Sequence, residues 1–373
     1  MPDNTIRFFQ TADLHLGAKF GNLPSAVASL KRQSQRESLT FLVDQALERK
    51  VDLFLICGDL FDTVKPDYSD VVFAKAELER LPAAGIKTFL IPGNHDHYAP
   101  NNFWDQYAPW PVHHFFKSYE FEAVMLPKLN LEVVGIGFDR AHSSTNQLKK
   151  YALKRQASYS ILLYHGAWQN FGRELTKDYP FDSADLEKLE FNYIALGHYH
   201  ARSEVLTAKQ QKAVYAGSPE GLDFSKGELG SRYGIYGLID TEGVVTLNPI
   251  EVPSMVMQKL ELDASSVSLA GVDQAVLQHK NARNLMQLVL TGLPSKDLLR
   301  EFPRLEQHYS ELFAFFEFKD ETIGLPTDFE QDAHTYQGLF YQAISERLSQ
   351  AKTPEEKSRL RQALAIGLAA FAN

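Results

Sequence analysis

Three things are scarce in this chain. It holds a single cysteine, Cys57, in 373 residues. No internal disulfide can form, which fits a reducing compartment, and no partner cysteine exists for a thiolate metal site. Within the apolar run 51–57 it reads as a small buried hydrophobe. Long hydrophobic runs are missing too: nothing approaches the roughly 18–20 residues of a membrane span. The first ten residues have no basic head followed by an apolar core and read as a short first strand. A soluble, cytoplasmic protein with no membrane association is therefore expected. There is no internal repeat and no low-complexity tract.

Positive charge is also short, with 38 Lys and Arg against 47 Asp and Glu and a formal net charge of −9. Nucleic-acid affinity comes largely from lysine and arginine neutralising phosphates, so this balance suits a stand-alone nucleic-acid binder poorly. A nuclease remains open. Carboxylates that chelate divalent ions add formal charge that the ions cancel, and a partner subunit can supply a basic surface.

What is present is an alternation of short apolar runs with amphipathic stretches, the mark of an α/β domain. Strands are expected at 6–10, 51–57, 87–91, 131–138, 159–164 and 192–196, with helices notably over 24–50 and 67–81 and a hairpin over 233–252. Five polar fragments stand at the ends of these strands: Asp13-Leu14-His15, Gly58-Asp59, Gly93-Asn94-His95-Asp96, His165-Gly166 and Gly197-His198-Tyr199-His200. Strand carboxyl ends are where α/β sheets present their sites. Strands end in polar turns anyway, which accounts for the glycines but not for histidines that recur with the same neighbours.

The donors in these fragments are Asp13, His15, Asp59, Asn94, His165, His198 and His200. A carboxylate such as Asp59 can bridge two cations roughly 3.5–4 Å apart, which then clamp a phosphodiester. Asp13 and His15 share one side of an extended chain by the two-residue period, as do His198 and His200. Asp-x-His alone is a weak signal, whereas Gly-Asn-His-Asp has a chance expectation on the order of 10⁻³ from average composition. Imidazole, carboxylate and amide donors fit manganese, iron or zinc. His95 is the spare histidine. Beside two cations and oriented by Asp96, it could protonate a leaving oxygen.

These residues resemble the calcineurin-like metallophosphoesterase superfamily, and within it the DNA repair exonucleases of the SbcD and YhaO type. The softer marks of that subfamily are Gly58-Asp59-Leu60-Phe61-Asp62-Thr63, Tyr215-Ala216-Gly217-Ser218-Pro219 and the stretch that continues to Phe224. The resemblance implies two central β-sheets flanked by helices, a small α/β capping domain and C-terminal helices. It implies one ion held by Asp13, His15, Asp59 and His200, and a second by Asp59, Asn94, His165 and His198. His95 would be the catalytic histidine, with Asp96 beside it, and manganese the activating ion. Some relatives of the family carry a histidine where this chain has Asp62.

The implied organisation is a nuclease domain over 1–252, a cap over 253–319, an acidic linker over 320–334 and a helical segment over 335–373. The family works as a homodimer on DNA with an SbcC-like, SMC-type coiled-coil ATPase bound to those C-terminal helices. From the residues alone, the apolar faces of the two helices suit either that partner or the chain itself. Lys149, Lys150, Lys154 and Arg155 form a basic run fit for a DNA backbone or for a solvated helix face. Tyr98, Phe103, Trp104 and Tyr107 suit base stacking or the packing of their own loop. A manganese-dependent DNA nuclease, an exonuclease above all, is the function expected. A phosphodiesterase or phosphatase on a nucleotide or phosphoprotein, and a non-catalytic adaptor at DNA ends, are the rivals.

Overall fold

The computed structural model describes residues 5–169, 177–205, 212–322 and 334–371. The chain divides into two compact units, Met1–Val256 and Met257–Asn373.

Two six-stranded sheets build the first unit. In spatial order one contains Val245–Val252, Arg232–Ile239, Ile6–Thr11, Leu53–Cys57, Lys87–Ile91 and His114–Phe115. The other contains Glu122–Leu126, Leu131–Gly135, Tyr159–His165, Tyr193–Gly197, Lys212–Tyr215 and Ser203–Val205. Their central strands run parallel, Ile6–Thr11 with Leu53–Cys57 and Lys87–Ile91 in one, Leu131–Gly135 with Tyr159–His165 and Tyr193–Gly197 in the other.

Side chains alternate across each strand, and that alternation sorts the apolar residues into layers. Phe8, Leu53, Leu55 and Cys57 face Val133, Ile161, Leu163 and Ala195 in the core between the sheets. Phe9, Phe54, Ile56 and Leu90 turn the other way, onto Leu39, Leu42, Ala74 and Leu78 of the helices Ser25–Glu48 and Tyr68–Ala83. The outer face of the second sheet packs Leu162, Tyr164 and Ile194 on Phe181 and Leu186. The strands expected at 51–57 and 131–138 run over Leu53–Cys57 and Leu131–Gly135, and both are wholly buried, as parallel strands covered on two faces must be.

Two buried polar links tie the layers together. Gln10 crosses the inter-sheet core, where its Nε2 donates to Leu196 O at 3.0 Å and Val214 O at 3.1 Å and its Oε1 accepts from the Tyr193 hydroxyl. Lys31 and Glu220 form an ion pair with both side chains fully buried. Glu220 also accepts from Ser34 Oγ at 2.5 Å and from the Met255 amide at 3.3 Å. The stretch 217–224 and the end of the first unit are thus pinned to the first helix.

In the second unit Met257–Asp263, Asn281–Gly292 and Phe313–Thr322 form a three-stranded parallel sheet. Val272, Leu298, Phe302 and Leu305 of two helices pack on its Met286, Leu288 and Leu290. The C-terminal helices Tyr336–Gln350 and Pro354–Phe371 lie in this same unit. Leu364 and Leu368 are buried with Leu293, and Arg361 pairs with Asp263. Tyr336, Leu339, Ile366 and Phe371 stay exposed. Part of each apolar face is therefore turned inward and part left to solvent. Residues 323–333, most of the expected linker, lie outside the described residues. No helix among the described residues is long and apolar enough to cross a membrane.

Candidate metal centre

All five fragments meet where the carboxyl edges of the two sheets adjoin. Asp13, His15, Asp59 and Asn94 follow strands of the first sheet, while His165, His198 and His200 end or follow strands of the second. The turns that carry them are strained. Asp13 (φ 52°), His15 (φ 48°), Asp59 (φ 50°) and His198 (φ 111°) all have positive φ. Such conformations cost about 1–3 kcal/mol each for non-glycine residues and concentrate at functional sites. Two of the neighbouring glycines have a steric reason: a Cβ on Gly93 would lie 2.2 Å from Asp59 Oδ1, and one on Gly197 would lie 1.8 Å from Cys57 O.

The donor atoms face one another. His15 Nε2 lies 3.1 Å from His200 Nε2 and 3.6 Å from Asp59 Oδ2. Asp59 Oδ2 is also 3.4 Å from His165 Nε2. The Asn94 amide oxygen stands 2.8 Å from His165 Nε2 and 3.1 Å from His198 Nδ1. Ligands at about 2.1 Å from one ion, at ordinary coordination angles, stand about 3.0–3.5 Å apart, so these spacings fit a cation in each cluster. Asp59 Oδ2 is common to both. Its other oxygen is held by the His95 amide at 2.8 Å. Asp13 accepts from the His198 amide at 3.0 and 3.1 Å, which ties the first fragment to the last.

Charge points the same way. Asp13 and Asp59 are buried, and their partners among the described residues are histidines and backbone amides, with no lysine or arginine. Buried charge persists only when paired. Without a metal, the charge on the histidines must balance these carboxylates. Burial alone would lower His165, but Asp59 and Asp13 beside it carry it up to about 9. Burial and the neighbouring His165 press His198 down to about 3. Burial raises Asp13, whereas Asp59 is drawn well below the usual carboxylate range, the histidines around it outweighing its own burial. A pair of divalent cations satisfies the same carboxylates with every imidazole neutral, the form that ligates.

Three of the four donor histidines are fixed through their second nitrogen. His165 Nδ1 donates to Cys57 O at 2.9 Å, His15 Nδ1 to Asp62 Oδ1 at 3.1 Å, and His200 Nδ1 to Glu228 Oε1. Such partners orient ligands and raise their basicity. Burial would raise Glu228, but its bond to His200 holds it below the usual value. Glu228 also accepts from the Leu222 amide at 3.0 Å, which joins the 217–224 stretch to the centre. Nothing in the sequence marks Glu228, since it lies outside every fragment. Asp62 was visible only as a departure from a family pattern.

Asp96 does not orient His95. Its carboxylate accepts from the Gly93 amide at 2.7 Å and the Phe61 amide at 3.2 Å, and so closes the loop that carries Asn94. The His95 ring is held by Asp62, whose carbonyl accepts from Nδ1 at 3.2 Å, and it meets the His15 ring edge-on at 4.6 Å. With its side chain 44% exposed, it is the open member of the cluster.

The basic run is not a helix face. Residues 148–150 form one 3₁₀ turn, and 151–156 are irregular. Lys149, Lys150 and Lys154 are exposed. Arg155 is occupied: its guanidinium donates to Ala157 O at 2.8 Å, Glu190 O at 3.2 Å and Asn192 Oδ1 at 2.9 Å, and to Ser158 O. These acceptors sit at the amino ends of Tyr159–His165 and Tyr193–Gly197, the sheet edge opposite the donors. Arg155 is therefore a structural pin rather than a phosphate contact. The aromatic cluster packs its own loop, with Phe103 and Trp104 buried against Phe61 and Trp110 and the indole N–H of Trp104 on Asp96 O at 2.5 Å.

The model of the calcineurin-like phosphoesterase family matches residues 6–202. The chain belongs to that family. The match spans all seven donors and His95, and its members' two-sheet architecture is the one found here. The metallophosphoesterase YhaO of Bacillus subtilis is 28% identical over 351 residues, 90% of this chain and 83% of that protein. The DNA double-strand break repair protein Mre11 of Sulfurisphaera tokodaii is 25% identical, across 85% of this chain and 84% of its own. Its namesake in Saccharolobus solfataricus is 23% identical, across 79% and 77%. The family hydrolyses phosphoesters with divalent metals.

Proposed function

We propose that this chain is a manganese-dependent DNA nuclease of the SbcD type. In this reading it hydrolyses phosphodiester bonds at DNA ends, as a homodimer with an SbcC-like coiled-coil ATPase in double-strand-break repair. The observation that carries the two-metal chemistry is the Asp59 Oδ2 position, 3.6 Å from His15 Nε2 and 3.4 Å from His165 Nε2. One oxygen shared by two donor clusters is the arrangement a paired-cation centre requires. DNA as substrate draws on the likeness to two double-strand break repair proteins. That likeness spans 85% and 79% of the chain, against a family match that ends at residue 202. The exposed Tyr336, Leu339, Ile366 and Phe371 leave apolar side chains at the surface of the C-terminal helices for an ATPase coiled coil to bind.

Asp13, His15, Asp59 and His200 would hold one ion and Asp59, Asn94, His165 and His198 the other. When bound, such a pair orients the phosphate, offsets its charge and activates water near neutral pH. The chain's own residues do the rest. Asp59 keeps the two clusters in register because its second oxygen is fixed by the His95 amide. Glu228 and Asp62 hold His200 and His15 with Nε2 inward. His95, with Nδ1 tied to Asp62 O, presents Nε2 to substrate, where it delivers a proton to the departing oxygen.

The test compares cleavage of linear duplex DNA with that of bis(4-nitrophenyl) phosphate, each with manganese, zinc or chelator. Manganese-dependent degradation from DNA ends is expected. Turnover of the small diester alone, with DNA intact in the presence of the ATPase, would sink the nuclease reading and favour a phosphodiesterase.

A further inference from the structure

A cavity of about 420 Å³ opens in the first unit between the segments 119–121, 136–142 and 147–153. Its volume falls within the about 300–1,000 Å³ of small-molecule sites. Two chains of contacts lead from its walls toward the second donor cluster. Phe138 meets the His165 ring edge-on at 6.2 Å and packs at 4.6 Å on Tyr179, a cavity wall. Opposite, the Tyr119 hydroxyl donates to Tyr98 O at 3.1 Å, four residues beyond Asn94.

We propose that this cavity receives one nucleobase of the strand whose phosphate lies at the metal centre. The proposal rests on the DNA-hydrolysis reading given above and names how that substrate is held. The lining has the two components base recognition needs. Tyr119, Phe121 and Leu153 supply flat or apolar surface, on which a base stacks irrespective of sequence. Gln147 supplies an edge reader: it is 3% exposed, lines the cavity, and its side-chain amide has no hydrogen-bond partner among the described residues. A carboxamide both donates and accepts, so it pairs with the edge of a base in two bonds. Glu120 also lines the space, where its carboxylate can accept from exocyclic amino groups, whereas Asp139 is taken up by the Ala141 amide and by His142, another lining residue. Lys150 stands at the same lining, and it is exposed, placed to meet the backbone of the nucleotide whose base enters. The centre alone recognises a phosphodiester of any kind; the cavity makes the ligand a nucleotide.

The experiment titrates the manganese-loaded protein with two non-cleavable hexanucleotides, one ending in adenine and one in an abasic site, and with dAMP. The adenine strand is expected to bind at least tenfold more tightly than the abasic one. Leu153→Trp, which fills the cavity from a position 38% exposed, and Gln147→Leu should each erase that difference. Metal content and melting temperature of both variants serve as the check on folding. Equal binding of the two strands by the native chain, or a preference that survives both substitutions, overturns the proposal. If the preference holds and dAMP binds with the same sensitivity, but no unmodified strand is cut with metal, the cavity is a free-nucleotide site. In that case only the DNA reading fails.

Discussion

Asp62 accepts from His15 Nδ1 on its carboxylate at 3.1 Å. Its backbone carbonyl accepts from His95 Nδ1 at 3.2 Å, so one residue positions both a proposed ligand and the proposed acid. Asp62→Ala frees the His15 ring while leaving the carbonyl in place. Loss of such a supporting carboxylate typically weakens metal binding about 10–100-fold. Competition with a chelating dye should show that loss at one of two sites. Unchanged affinity at both would remove Asp62 from the centre.

His95 is the one member of the cluster that should separate binding from turnover. His95→Asn keeps the backbone amide that fixes Asp59 but removes the imidazole. Two bound ions per chain are expected, with kcat down about 10²–10⁴-fold, the usual worth of general acid–base catalysis. Elemental analysis beside the hydrolysis assay reads both numbers. Full activity in the variant would mean the leaving oxygen is protonated elsewhere.

His165 makes the metal-free protein sensitive to alkali. Its folded pKa of about 9 lies above the ordinary 6.5, because Asp59 and Asp13 overcome the effect of burial. A raised value means stability that is fully present below about pH 6.5 and lost as pH rises through about 9. The loss should be on the order of 3 kcal/mol. Urea titrations of chelator-treated protein at pH 6 and pH 9 measure it, and His165→Asn should flatten the difference. A pH-independent midpoint in that window would contradict the proposed charge balance.

Lys31 and Glu220 are each fully buried, so removing one leaves the other charge uncompensated. Lys31→Met and Glu220→Leu should each destabilise by about 3–5 kcal/mol. The double variant should cost markedly less than their sum, because no charge is then left behind. Chemical denaturation of the four-member cycle gives the coupling. Additive losses would show that the pair is not an energetic unit.

The layered architecture and the ligand clusters were open to reading because both depend on local pattern. Strands such as Leu53–Cys57 and Tyr193–Gly197 are unbroken apolar runs, and each donor sits within a few residues of an apolar stretch. Short strands were not legible: the edge strands His114–Phe115 and Ser203–Val205, and the inner strand Lys212–Tyr215, exist because a neighbour offers a ladder, not because of their own periodicity. The supporting residues escaped for a related reason. Glu228 meets His200 across 28 positions, and no spacing rule anticipates a contact made by folding. Asp96 misled in the opposite sense. It is the sequence neighbour of His95, yet its carboxylate points back to Gly93 and Phe61, while the partner of the ring comes from 33 residues away. Arg155, likewise, looked available in a run of cations until its carbonyl acceptors appeared.

Gln10 binds Leu196 O and Val214 O across the space between the sheets, and each donor cluster draws on both of those sheets. That division has a consequence for synthesis. A chain emerging from the ribosome delivers Asp13, His15, Asp59 and Asn94 long before His165, His198 and His200, and Glu228 later still. Until the second sheet has docked, each cluster lacks at least one donor. A half-made chain therefore has neither donor cluster complete, and any capacity for phosphoester hydrolysis arises only in molecules that have finished folding.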